Sequence, residues 1–117
     1  MTEERKTMLE SLGVDLDETL ERFVENEDLY IRCILKLVDD KNFSNMCDAI
    51  EGKDPKGAFE YAHALKGVTA NLGLSKVFKE MKELTEVFRS GSLDFEYDNY
   101  DRLKTAYDEA IETIRLL

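Results

Sequence analysis

The chain has no tryptophan, one proline, one histidine, two cysteines and six glycines in 117 residues. Each shortage excludes something. So little proline and glycine cannot supply the turns of an all-β fold. Cys33 and Cys47 lack CxxC spacing, and a single imidazole beside them is too little for a zinc site. Both read as small apolar residues on helix faces in a reduced, cytoplasmic protein. The opening MTEERKTMLESLG carries charges where a secretory leader needs an apolar run, and no stretch is long and apolar enough to span a bilayer. Basic side chains are outnumbered, with 16 Lys and Arg against 26 Asp and Glu, for a net charge of −10. Phosphate backbones and anionic lipid repel such a chain, which argues against nucleic-acid and membrane partners.

What is present suffices for one core. The apolar fraction is 43%, and the length fits a single domain over residues 1–117, with roughly the first dozen expected to be loosely ordered. The apolar residues recur at helical spacing. Asp15 caps DLDETLERFVE, with Glu18 three residues on as in a capping box. Asn26 opens NEDLYIRCILKLVDD, and Phe43, Met46, Cys47 and Ile50 resume its period beyond Lys41-Asn42, so the spacing allows one long, kinked helix. Asp54 before Pro55 marks another helix start, which runs to about Leu72 with Gly73 as its stop. Ser75 is the expected cap of the next helix, which ends at Ser90-Gly91-Ser92, and a last amphipathic run spans about Phe95 to Leu117. Short connections favour antiparallel neighbours. The expected fold is all-α, an antiparallel up-down four-helix bundle with a short extra N-terminal helix.

The informative stretch surrounds the one imidazole. On a helix at about 100° per residue, Ala58, Tyr61, Leu65, Val68, Thr69 and Leu72 fall on one arc, and His63 falls opposite it. The residues beside His63 are Lys56, Phe59, Lys66, Gly67 and Ala70. Glycine inside a helix costs about 1 kcal/mol relative to alanine, so its missing side chain calls for a reason. Side chains lean toward the helix N-terminus, and a Cβ at position 67 would crowd the His63 ring. Lys66, three residues on, can offer an ammonium to an anion there. Singly, Gly67 also fits close helix packing and Lys66 a solvated charge. Together with His63 they point to a nucleophilic imidazole beside an anion site.

Few chemistries need so little. A Ser-His-Asp hydrolase requires an activated nucleophile and an oxyanion hole, and nothing marks either. Phosphoryl acceptance needs a neutral imidazole nitrogen, space, and positive charge, and imidazole is substantially neutral at cellular pH. No Walker loop and no kinase glycine-rich loop is present, so the chain is expected to be a phosphoryl carrier with no kinase activity or ATP site of its own. From Tyr61 to Gly91 five basic side chains face three acidic ones, a net of +2 within this acidic chain. Such a basic island favours a partner with a carboxylate-rich pocket.

His63-Ala64-Leu65-Lys66-Gly67, followed by Asn71-Leu72-Gly73, closely resembles the H-x-L-K-G-x-x-x-N-L-G pattern of histidine-containing phosphotransfer (HPt) domains. The likeness runs from about Gly13 to Ile114. The resemblance implies a four-helix bundle whose exposed histidine relays a phosphoryl group between receiver-domain aspartates. It assigns phosphorylation to His63 through Nε2, charge stabilisation to Lys66 and access to Gly67. Many members orient the imidazole with a glutamine on the next helix. Here that stretch reads Lys82-Glu83-Leu84-Thr85-Glu86, leaving Thr85 or a nearby carboxylate as the candidate replacement and Arg89 as a candidate second cation. Phe59 and Ala70 are expected to form an apolar docking rim. The implied partners are receiver domains of response regulators and hybrid histidine kinases. No cofactor or metal is expected on this chain, with Mg2+ on the partner receiver and the carrier itself a monomer. Alternatives are a module phosphorylated by a chemotaxis-type kinase and a non-catalytic helical adaptor.

Overall fold

A computed structural model describes residues 1–117. Seven α-helices follow one another: α1 (Glu3–Ser11), α2 (Leu16–Arg22), α3 (Glu27–Leu35), α4 (Asn42–Glu51), α5 (Pro55–Leu72), α6 (Ser75–Arg89) and α7 (Tyr97–Ile114), with a 3-10 turn over Lys36–Asp39. The fold is all-α and contains no strand. Helices α4 to α7 form an antiparallel bundle in which α5 packs against both α4 and α6, and α6 against α7. Phe43 of α4 stacks on Tyr107 of α7, with centroids 4.1 Å apart, and closes the ring. No helix is long and apolar enough to cross a membrane.

Local chemistry sets most boundaries. The Asp15 carboxylate accepts from the Glu18 N–H at 3.2 Å, the Asn26 side chain from Leu29 at 3.0 Å, and Asp54 from Gly57 at 3.0 Å. Each satisfies one of the donors left free at a helix start. Gly73 ends α5 at φ +75°, and the N–H groups of Gly73 and Leu74 turn back to the carbonyls of Ala70 and Thr69. This left-handed stop is the usual use of glycine after a helix.

Three expectations are corrected. The run from Asn26 to Ile50 is not one helix. It tightens into the 3-10 turn and becomes extended at Asp40, whose carboxylate accepts the Asn42 N–H at 2.8 Å before α4 begins. The apolar period continues because both pieces feed the same core. Ser75 does not cap α6. It occupies the first helical position, after Leu74, and its hydroxyl donates to the Gly13 carbonyl at 2.6 Å. Within the first dozen residues, Glu3–Ser11 form α1, started by the Thr2 hydroxyl accepting from the Arg5 N–H, with Leu9 in the helix and Leu12 just after it buried.

Helices α1 to α3 wrap one end of the bundle, where α5 turns into α6 and α7 ends. The Tyr30 hydroxyl donates to the Leu72 carbonyl at 2.8 Å, and the Arg5 guanidinium to the Leu117 carbonyl at 2.6 Å. Arg22 donates to the Ala70 carbonyl at 3.1 Å, and the Lys76 ammonium to that of Ser11 at 2.7 Å. The last carbonyls of α5 thus find partners in side chains of the preceding helices.

Candidate functional site

Helix α5 divides largely as the wheel predicts, except that Tyr61 and Val68 are only half-buried and Ala62, outside the expected arc, is fully buried. Ala58, Ala62, Leu65, Thr69 and Leu72 are buried against the bundle. His63, Ala64, Gly67 and Ala70 are exposed on the outer surface, and Lys66 is half-buried beside them. Neither ring nitrogen of His63 has a hydrogen-bond partner within the chain, so both are free for a partner molecule. A Cβ built on Gly67 meets nothing within 4 Å. Close helix packing therefore does not explain this glycine, and the expected crowding of the His63 ring by a Cβ is corrected: the ring lies beyond 4 Å of that position, and the space there is open to a longer side chain or a partner.

One turn before His63, the half-buried ring of Phe59 packs on the core and lies nearly parallel to the imidazole. Their centroids are 5.5 Å apart with an interplanar angle of 22°. Arg89, the last residue of α6, places its guanidinium carbon 4.9 Å from the Phe59 ring centre and also pairs with Glu86 at 3.3 Å. The antiparallel course of α5 and α6 brings these sequence-distant residues together. Lys66 forms no ion pair, so its ammonium is available to an anion at His63.

Thr85 lies elsewhere than an orienting role would require. It is fully buried, its hydroxyl donates to the Met81 carbonyl at 2.6 Å, and no hydrogen bond joins it to His63. Ala70 is exposed, and its carbonyl bond to Arg22 sets α2 at the border of this surface. No group of three or more His, Cys, Asp or Glu side chains is arranged to hold a metal ion.

Helix α6 also carries a feature that a surface-charge reading misses. Glu80 is buried, with Arg102 Nε at 3.0 and 3.1 Å from its carboxylate oxygens and Asn99 Nδ2 at 3.4 Å. Its pairing joins α6 to α7. The signal was present in the spacing, since Glu80 lies three residues after Val77 and four before Leu84, on the apolar stripe.

The family model of the Hpt domain matches residues 39–113. The chain belongs to the Hpt domain family. The match spans α4 to nearly the end of α7, and so contains His63 and everything around it. Helices α1 to α3 lie outside it, so the matched region begins later than the likeness drawn from Gly13. Hpt domains are helical bundles that serve histidine phosphotransfer in phosphorelays and interact with receiver domains. No curated protein and no solved structure matches the chain.

Proposed function

We propose that this Hpt domain is a cytoplasmic phosphoryl carrier in a multistep His-Asp relay, with His63 as the residue that carries the group. The supporting observation is an exposed imidazole with both nitrogens free, beside open space at Gly67 and an unpaired ammonium at Lys66. The lone pair of neutral Nε2 attacks the phosphorus of an aspartyl phosphate on a receiver domain. The N–P bond forms as the P–O bond breaks, and the electron pair leaves with the aspartate carboxylate. The ring then sheds the proton on Nδ1 to water, or keeps it until the reverse reaction returns the group to a second receiver's aspartate.

Lys66 offsets the charge of the phosphoryl oxygens, and the bare backbone at Gly67 lets the receiver approach. Phe59 and Ala70 supply apolar contacts at the rim. In this reading the magnesium that assists the transfer is held by the receiver domain. Incubation with a phosphorylated receiver domain tests this directly. Acid-labile, alkali-stable label is expected on the wild-type chain and none on His63→Gln. Label that persists in that variant sinks the assignment.

A further inference from the structure

We propose that Phe59, held in place by Arg89, fixes the plane of the His63 imidazole for phosphoryl acceptance, an inference that rests on the carrier reading above. The nucleophilic lone pair of an imidazole nitrogen lies in the ring plane, so the plane decides where a phosphorus atom must arrive. An exposed histidine with no hydrogen bond is otherwise free to rotate, because its χ2 torsion is broad. The usual device, a hydrogen bond to the second nitrogen, is absent: no side chain hydrogen-bonds to His63, and the proton of the buried Thr85 hydroxyl is given to Met81.

The ring of Phe59 takes that place. Positions 59 and 63 are neighbours on one helix face, and the 5.5 Å separation with a 22° tilt is an offset stack. Phe59 is anchored in turn. Its body packs against the core, and the Arg89 guanidinium lies over its ring within the range of a cation–π contact. Arg89 is itself steadied by Glu86. The resulting order is Glu86, Arg89, Phe59, His63, running from the end of α6 to the reacting nitrogen. Phe59 touches no reacting atom in this arrangement. It is a positioning residue.

Phosphoramidate separates positioning from docking, because so small a phosphoryl donor does not use the docking rim. The test compares the rate of histidine labelling by phosphoramidate in the wild-type chain, Phe59→Leu, Phe59→Tyr and Arg89→Ala, with the His63 ring-proton shifts followed by NMR. Leucine keeps the apolar body and removes the flat face. Phe59→Leu is expected to label about tenfold more slowly, as misaligned reactants do. Its His63 ring protons should lose the ring-current displacement that a stacked benzene imposes. Phe59→Tyr should restore both. Arg89→Ala should slow labelling in the wild-type background and add nothing to Phe59→Leu.

Phe59→Leu with wild-type labelling and unmoved His63 resonances overturns the inference. A further loss in the double variant overturns the part given to Arg89, and assigns it directly to the phosphoryl oxygens. A wild-type chain that takes no label from phosphoramidate overturns the carrier reading itself, and the inference falls with it.

Discussion

The capped end of the bundle and the outer face of α5 are built on opposite terms. At the capped end, side chains of α1 to α3 reach the carbonyls of Ala70, Leu72 and Leu117, and Thr19 fills the space beside Gly73. Around His63 there is one aromatic stack, no hydrogen bond to the ring, and vacant space at Gly67. The same helix carries both regions, with His63 nine residues before its last residue, Leu72. Ties that fix a helix end would obstruct a surface that another domain must approach. Stability is therefore concentrated at one end of α5 and access along its middle, and substitutions in the two places should fail differently.

Two glycines of this segment give the largest contrast. Gly73 holds φ +75°, and a Cβ there would overlap the Thr19 hydroxyl. Gly73→Ala is expected to lower stability by about 2–4 kcal/mol, combining left-handed strain with displacement of Thr19. Gly67 has ordinary helical backbone, so Gly67→Leu should leave the fold intact or strengthen it by up to about 1 kcal/mol. Its leucine fills the space a receiver needs, and transfer should slow by about tenfold or more. Denaturant melts and receiver-to-carrier transfer rates, measured on both variants, check the pair. Parallel losses of stability and transfer in both would erase the distinction between the two regions.

A smaller effect sharpens the capped end. Tyr30 is fully buried, and burial raises its hydroxyl pKa well above the usual tyrosine range. Its one proton goes to the Leu72 carbonyl. Tyr30→Phe keeps the ring, which packs edge-on to Phe23 at 5.2 Å, and leaves that carbonyl without its donor. The expected loss is about 1–2 kcal/mol in equilibrium unfolding. Transfer measured well below the melting temperature should be unchanged. A slowed transfer in this variant would mean that the cap reaches the site through α5.

Much of the bundle was legible because its signals are local. Asp15, Asn26 and Asp54 each bond a backbone N–H three residues on, so their identity and spacing suffice. The outward aspect of His63 follows from helical period alone. The features that escaped depend on contacts distant in the chain. The cap over α5 consists of the Arg22 and Tyr30 side chains reaching its last carbonyls, which leaves no period in the sequence. The break after Leu35 hides because α3 and α4 bury the same apolar series, and only the Asp40–Asn42 bond marks the restart. Phe59 was visible beside His63, but its partner Arg89 lies 30 positions away and meets it only through the α5–α6 register. Ser75 looked like a cap because serine often is one; here the fold gives its hydroxyl to Gly13.

Lys66 provides the finest measure of the contrast, since it sits at the site without any tie to the fold. Its side chain forms no ion pair or hydrogen bond, and the one side-chain bond that reaches this residue is to its carbonyl, which accepts the Thr69 hydroxyl at 3.1 Å, a bond any residue would preserve. Lys66→Ala should change stability by less than about 0.5 kcal/mol, the usual range for a surface position. An ammonium near a phosphoryl group in partly solvated surroundings contributes about 0.5–1 kcal/mol, so the yield or lifetime of phosphorylated His63 should fall about two- to fivefold. Lys66→Arg keeps the charge and should retain most of the wild-type value. Raising the salt concentration should shrink the difference between wild type and Lys66→Ala, because the interaction is screened. If the melting temperature instead fell in step with phosphohistidine yield, Lys66 would belong with the ties of the capped end, and the open face would lose the cation nearest the ring in sequence.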